Sequence, residues 1–435
     1  MKSKNGSGFH DPAFASNKSL PIHRWVPWIA GFGSGFVRDA ISRYLPETGC
    51  ILDPFAGVGT TLVEGLLAGH NVIGFEINPY ASLACKVKLN AHNVRLETLQ
   101  SEIEKLKDFY EETASDGYNP KSTAPAGFKT RADFYSPRVL RKVLIIRDFI
   151  DGIKSRLVRD LFRLAFASTM VTYSNYSYEP SLGRRVSAGK AEIHDYHVAE
   201  SVINKLGEMF DDIYWLKENL PNGAAEAQVI EDTFMHCRNH VKSGVADLVV
   251  TSPPYLNNYH YNRNTRPQLY WLGLAQQPHD LEYIENLNFG KFWQTVRGLE
   301  RLDLEFKLPS SDMAERLEQL RATNREKGVY GGNGWANYAA AYFNDCYKFS
   351  QQLKYVLRRG RTALVVIGNS ILQGVFIPTD EYFAKIAEAV GLECVGIEIP
   401  RSTRVGNSII QSDVRVAKAE DRQKLYEAVV ILRRP

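Results

Sequence analysis

Two hydrophobic rhythms divide the chain. Short unbroken apolar runs stop at Gly, Pro or acidic residues: Cys50-Ile51-Leu52, Val72-Ile73-Gly74-Phe75, Asp247-Leu248-Val249-Val250 and residues 363–368. Runs of that length, rich in β-branched residues and bounded by turn formers, predict buried strands. Residues 227–230, 394–399 and 428–432 read as further strands, the last two as an antiparallel pair. Helical spacing predicts helices over 36–45, 60–67, 338–357 and 379–390, with Gly69 and Gly391 as stops, and Asn78-Pro79 as the cap and first-turn proline of another. The strand–helix–strand–helix opening is half of a doubly wound α/β sheet.

From residue 97 to 226 that rhythm stops. Residues 99–110 and 138–166 have helical spacing, the latter with Arg138, Arg141, Lys142, Arg147, Lys154, Arg156, Arg159 and Arg163. Tyr173-Ser174-Asn175-Tyr176-Ser177-Tyr178 and Arg184-Arg185 follow. Cations interleaved with aromatics suit a nucleic-acid strand; the other reading is a solvated helix face beside a tyrosine-rich core edge. Residues 281–331 read as a second insertion or lid, and residues 1–20 as a loose arm. The expected organisation is therefore a first catalytic part at 1–96, a mainly helical insertion at 97–226, and a second catalytic part at 227–435 with a lid or DNA-contacting insertion at 256–335.

Composition narrows the function only by exclusion. A net charge of +4 over 435 residues gives no argument for nucleic acid from the total. Five scattered cysteines without a Cys-x-x-Cys pair argue against a disulfide framework or structural zinc and fit a reducing compartment. The first 18 residues have no apolar signal core, and the uncharged stretch 164–178 is too rich in Ser, Thr, Asn and Tyr to be a membrane span, so a cytoplasmic protein is expected. His236-Cys237-x-x-His240 and His194-Asp195-x-His197 have no second ligand pair, and no metal is expected.

Two stretches carry chemistry. The first is Asp53-Pro54-Phe55-Ala56-Gly57-Val58-Gly59-Thr60-Thr61, between a strand and a helix, with Glu76 ending the next strand. Glycines allow close backbone approach to a ligand, the helix N-terminus offers N–H groups to an anion, and an acid at a strand end accepts hydrogen bonds from ribose hydroxyls. Leu62 stands where a nicotinamide fingerprint needs its third glycine, which argues against an oxidoreductase. The second stretch is Thr251-Ser252-Pro253-Pro254-Tyr255, where a buried strand ends at two prolines that can extend neither a ladder nor a helix. A hydroxyl, proline carbonyls and a tyrosine face suit a flat base bearing an exocyclic amine.

In this order the two motifs resemble the S-adenosylmethionine-dependent DNA amino-methyltransferases, most closely the site-specific cytosine-N4 enzymes with a Ser-Pro-Pro-Tyr corner. The similarity covers about residues 20–100 and 227–435. It implies a Rossmann-like class I methyltransferase sheet with a largely helical target-recognition insertion, S-adenosyl-L-methionine as cofactor and double-stranded DNA as substrate. It further implies a cognate restriction endonuclease as partner and leaves the oligomeric state open. Asp53, Phe55, Gly57 and Gly59 would then line the methionine part, Thr60 and Thr61 hold its carboxylate, Glu76 bind the ribose and Ile77 pack on the adenine. Asp232 would meet the adenine amine, and the segment around Trp25 and Trp28 stands where the family has its preceding cofactor motif, with Trp25 as the cofactor contact. Ser252 and Pro253 would take the two hydrogens of the base amine, with Pro254 shaping the corner and Tyr255 stacking on a flipped-out base. Arg184, Arg185, Tyr259, Arg263, Arg401 and Arg404 are candidate DNA contacts. None of the five cysteines follows a proline, which argues against cytosine-C5 chemistry. Adenine-N6 and RNA amino-methylation are the alternatives, and a non-catalytic DNA-binding regulator stands behind them.

Overall fold

The structure, a computed structural model, describes residues 8–28, 31, 33–114, 117–178, 181–221, 223, 225–256, 261–309, 311–401 and 425–435. In chain order the first 96 residues hold α1 (Ser34–Tyr44), β1 (Cys50–Asp53), α2 (Thr60–Leu67), β2 (Asn71–Phe75) and α3 (Pro79–Leu89). The middle holds α4 (Leu96–Thr113), α5 (Pro137–Gly152), α6 (Arg156–Thr169), a small hairpin of β3 (Tyr176–Tyr178) and β4 (Leu182–Arg184), and α7 (Val198–Asn219). Next come β5 (Ala227–Ile230), β6 (Ala246–Thr251), α8 (Tyr261–Trp271), α9 (Pro278–Asn286), α10 (Trp293–Val296), α11 (Met313–Ala322) and α12 (Gly332–Val356). The chain closes with β7 (Leu357–Gly368), a hairpin of β8 (Ser370–Leu372) and β9 (Val375–Ile377), α13 (Thr379–Ala389), β10 (Glu393–Arg401) and β11 (Glu427–Arg433).

Seven strands form one sheet in the order β10-β11-β7-β6-β1-β2-β5. The pairs β5/β2, β2/β1, β1/β6 and β6/β7 are parallel, and β11 lies antiparallel between β7 and β10. The order reverses direction between β1 and β6, which is where an open α/β sheet has its ligand crevice. This is the Rossmann-like methyltransferase architecture that the motifs imply.

Strand periodicity separates two cores. Ile51, Val72, Leu248, Val250, Leu364 and Val366 face one way, into a core shared with α1–α3 and the middle helices. Leu52, Ile73, Val249, Ala363, Val365 and Ile367 face the other, against α12, α13 and α11. The helices of residues 97–226 thus continue the core that α1–α3 form on one face of the sheet. The expected lid divides between both cores: Leu269, Tyr270 and Trp271 join the first, Phe289, Val296 and Met313 the second.

Three expectations change. Residues 9–18 are packed: Phe9 is buried against Phe36 at 5.1 Å between ring centroids, and fully buried Asn17 accepts from Ser34 N–H at 2.9 Å. Isolated aromatics in a Gly/Ser/Asn-rich stretch have no periodicity to reveal them. The spacing over 138–166 is two helices broken after Gly152, and four of the cations are engaged at home: Arg141 donates to the Tyr118 carbonyl, Arg147 to that of Thr123, Arg163 to that of Leu272, and Lys142 pairs with Asp195. Tyr173 and Tyr176 are buried, so the core-edge reading accounts for them. Finally, α12 starts at Gly332, before the expected Tyr338, and only a glycine fits there: a Cβ would stand 1.7 Å from the Leu320 carbonyl oxygen. No helix among the described residues is long and apolar enough to cross a membrane.

Phe9→Ala is expected to lower stability by about 3–5 kcal/mol, as for a buried aromatic emptied to a cavity. Urea denaturation checks this, and an unchanged midpoint would return the segment to a loose arm.

Candidate active site

The two motifs meet inside the sheet. Leu52 and Val249 are register partners on β1 and β6, so each strand ends beside the other. At those ends Thr251 Oγ1 donates to Asp53 Oδ1 at 2.6 Å, across 198 residues of sequence, and both side chains are fully buried. Asp53 Oδ1 also accepts from the Phe55 amide at 3.0 Å, which turns the chain into the glycine loop. Burial raises the Asp53 carboxyl to about 6, although the hydrogen bonds from Thr251 and Phe55 pull it down.

The loop wraps a pocket at the carboxyl ends of β1, β2, β5 and β6. Gly57 (φ +53°) and Gly59 (φ +86°) are left-handed, and a Cβ on Gly57 would come 3.2 Å from Trp28 Nε1, so the glycine keeps that wall open. Cys85 Sγ donates to the Gly57 carbonyl and the buried Lys88 Nζ to that of Val58, bracing the loop on α3. Glu76 accepts from the Gly57 amide at 2.8 Å and the Asn78 amide at 2.7 Å, which fixes its carboxylate at the pocket wall. Burial raises this carboxyl to about 7 against the pull of those amides. Asn78 caps α3, accepting from the Tyr80 and Ala81 amides.

Of the residues singled out in the sequence, Phe55, Gly57, Thr60, Glu76, Ile77, Asp232, Ser252 and Pro254 line this one pocket. Asp53 and Gly59 lie beneath it, and Thr61 turns to the Val250 carbonyl at 3.4 Å. Trp25 is a correction: it is fully buried, and its indole N–H donates to Asp212 at 2.9 Å. Trp28, three residues on, lines the pocket in its place. Asp232 is clamped by His236 at 3.0 Å and His240 at 2.8 Å, the histidines set aside as metal ligands. Among the described residues no group of three or more His, Cys, Asp or Glu is placed to hold a metal ion.

The corner after β6 is held from outside. Tyr342 of α12 donates to the Pro254 carbonyl at 3.0 Å, and Ser252 Oγ donates to Tyr255 Oη at 3.5 Å. Pro253 is buried and Tyr255 half-buried, next in sequence to the lining residues Ser252 and Pro254. Leu287, Asn288 and Phe289 complete the pocket, Phe289 edge-on to Phe55 at 5.3 Å. Nothing local marks these three, since their role comes from the packing of α9 and α12 over the loop.

The pocket's chemistry fits S-adenosylmethionine. A carboxylate oriented by two amides suits ribose hydroxyls, the unpaired first amides of α2 suit a carboxylate, and Ile77 and Phe234 offer apolar faces.

The candidate DNA contacts are more scattered. Arg184 lies 3.7 Å from Glu192, Arg185 donates to the Ala191 carbonyl at 2.9 Å, and Arg263 is exposed on α8. The β3–β4 hairpin docks on α8: Leu182 N–H donates to Asn264 Oδ1 at 3.0 Å and Tyr178 Oη to the Asn264 carbonyl at 2.9 Å. Tyr259, Arg404 and the Arg401 side chain lie outside the described residues.

Comparison with known proteins agrees with the motifs. The DNA methylase family model N6_N4_Mtase matches residues 22–86. Over 437 residues the chain is 24% identical to the Type II methyltransferase M.BsoBI of Geobacillus stearothermophilus, covering 91% of this chain and 83% of that one. Over 444 residues it is 22% identical to the Type II methyltransferase M.AvaI of Nostoc sp., covering 97% and 88%. A 243-residue match to the Type II methyltransferase M.MvaI of Kocuria varians is 28% identical and covers 53% and 52%.

Glu76 generates a pH prediction. The carboxylate is the stronger acceptor for two hydroxyls, so S-adenosylmethionine affinity should be full about a unit above pH 7 and fall as pH drops through about 7. Calorimetric titrations between pH 6 and 8 check this; Glu76→Gln should bind more weakly and with a flat profile.

Proposed function

We propose that this DNA amino-methyltransferase, with S-adenosylmethionine as methyl donor, methylates the N4 amine of a cytosine flipped out of a specific site in duplex DNA. The observation that supports this most directly is that Ser252 and Pro254 open into the same pocket as Glu76 and the glycine loop. A base held at the corner would therefore lie next to whatever the loop holds.

When bound, the cofactor supplies an electrophilic methyl on a sulfonium. The protein's task is to prepare the amine, whose lone pair is delocalised into the ring. Ser252 Oγ, with its own proton directed to Tyr255 Oη, presents lone pairs to one amine hydrogen. Tyr342 braces the corner through the Pro254 carbonyl, and the resemblance to the amino-methyltransferases gives the Pro253 carbonyl the second hydrogen. With both hydrogens held, the nitrogen turns tetrahedral and its lone pair points into the pocket. Tyr255 stacks on the base. No covalent intermediate is needed, because fixed orientation and pre-set acceptors supply the acceleration. Ser252 at the first corner position is the feature that favours cytosine N4 over adenine N6.

The amine lies inside duplex DNA, so the base must leave the stack. The β3–β4 hairpin and α8 form one unit through Asn264, with Arg184 and Arg263 on it, and we assign target recognition to this joint surface of the 97–226 and 256–335 regions. The Type II names of the relatives support a place in a restriction-modification pair, with a cognate endonuclease as partner.

Incubation with S-adenosylmethionine and unmethylated duplex DNA, digestion to nucleosides and mass spectrometry should yield N4-methylcytosine. N6-methyladenine as the product would refute the reading of Ser252. Ser252→Ala should lower kcat by about 10²–10³, the usual effect of deleting one pre-set hydrogen-bonding group in an active site, with S-adenosylmethionine affinity unchanged.

A further inference from the structure

The segment that carries Trp28 to the pocket is tied to a single carboxylate on α7. Asp212, 1% exposed, accepts four hydrogen bonds from residues 22–25. Its Oδ2 takes the Ile22 amide at 2.8 Å, Arg24 Nε at 3.1 Å and Trp25 Nε1 at 2.9 Å, and its Oδ1 takes Arg24 Nη2. A further α7 residue assists: Lys205 donates to the Arg24 carbonyl at 3.5 Å. From the other side His23 pairs with Glu64 of α2 at 2.9 Å.

The backbone held there is strained. Ile22 has φ +65° and ψ −46°, and His23 N–H donates to the Pro21 carbonyl at 2.7 Å. That is a γ-turn of the rare positive-φ kind, on a β-branched residue for which left-handed backbone is a true outlier. Such a conformation persists only where its surroundings over-determine it. The Ile22 amide that Asp212 accepts lies at the centre of this turn. Past it the chain runs through buried Val26 to Trp28, whose ring stands against Gly57 in the pocket wall.

We propose that Asp212 is a positioning residue for cofactor binding: by holding the strained turn at Ile22 it sets the Trp28 wall against the glycine loop. It touches no part of the pocket itself. The middle helical region, through α7, thereby fixes one wall of a pocket otherwise built from the sheet. This rests on S-adenosylmethionine as cofactor and not on which base is methylated.

The experiment is a double-mutant cycle on Asp212 and Trp28, read by calorimetric binding of S-adenosylmethionine to the full chain without DNA. Asp212→Asn should raise Kd about tenfold and raise KM for S-adenosylmethionine to match, with kcat at saturating cofactor and KM for DNA unchanged. Trp28→Ala should raise Kd at least as much, and the double variant should be no worse than Trp28→Ala alone. Trp25→Phe, which deletes one of the four donors and keeps the ring, should raise Kd about threefold and serves if Asp212→Asn does not fold. A lower melting temperature with unchanged Kd in these variants would overturn the proposal, as would additive effects in the cycle. A wild-type chain that bound no S-adenosylmethionine would overturn the cofactor assignment first.

Discussion

The hydrogen bond from Thr251 to Asp53 is the constraint on which the site depends. Both residues end parallel strands that are neighbours only because the sheet reverses its order between β1 and β6. In a buried sheet a one-residue slip would turn every side chain to the opposite face, so the alternation of Ile51 and Leu52, or of Leu248 and Val249, between two cores locks the register. With the register fixed, the glycine loop and the proline corner can only emerge side by side. The hydroxyl–carboxylate bond then holds the two turns at a set separation in a place that water does not reach, where such a bond is costly to lose.

Much of this was legible beforehand, for physical reasons. The central strands β1, β2 and β6 are buried on both faces and so appear as unbroken apolar runs, and the glycine loop and the Asn78-Pro79 cap are local chemistry that a short window contains. The aromatic partners were not legible in that way. Phe289 and Tyr342 reach the site from segments with no motif, and their roles arise from packing against Phe55 and Pro254. Trp25 and Trp28 illustrate the same limit at close range. Both stand in one short segment, and nothing local tells that Trp25 turns inward to Asp212 while Trp28 reaches the pocket. The β8–β9 hairpin and the packed residues 9–18 had too few residues per element to generate a period.

The site also shows how groups that look like rival chemistry are absorbed as supports. His236 and His240 have the spacing of metal ligands and instead take both oxygens of Asp232, which leaves that carboxylate fixed and below its usual range. Cys85 and Lys88 could suggest a nucleophile and a base; each is buried and donates to a carbonyl of the glycine loop. A loop rich in glycine is conformationally free until something outside it removes that freedom. Here α3 supplies the restraint from below, and Glu76 from the side.

The docking of the β3–β4 hairpin on α8 bears on whether the middle segment is a separable module. Asn264 joins the hairpin by its side chain and its backbone carbonyl, and Gln268, one turn on, contacts Tyr178. Residues from both sides of the corner, far apart in the chain, therefore form one mechanical unit over a shared core. The segment 97–226 is consequently no cassette. Exchanged alone, it would meet an α8 shaped for another hairpin, so the middle segment can be moved intact only together with a distant stretch of the chain.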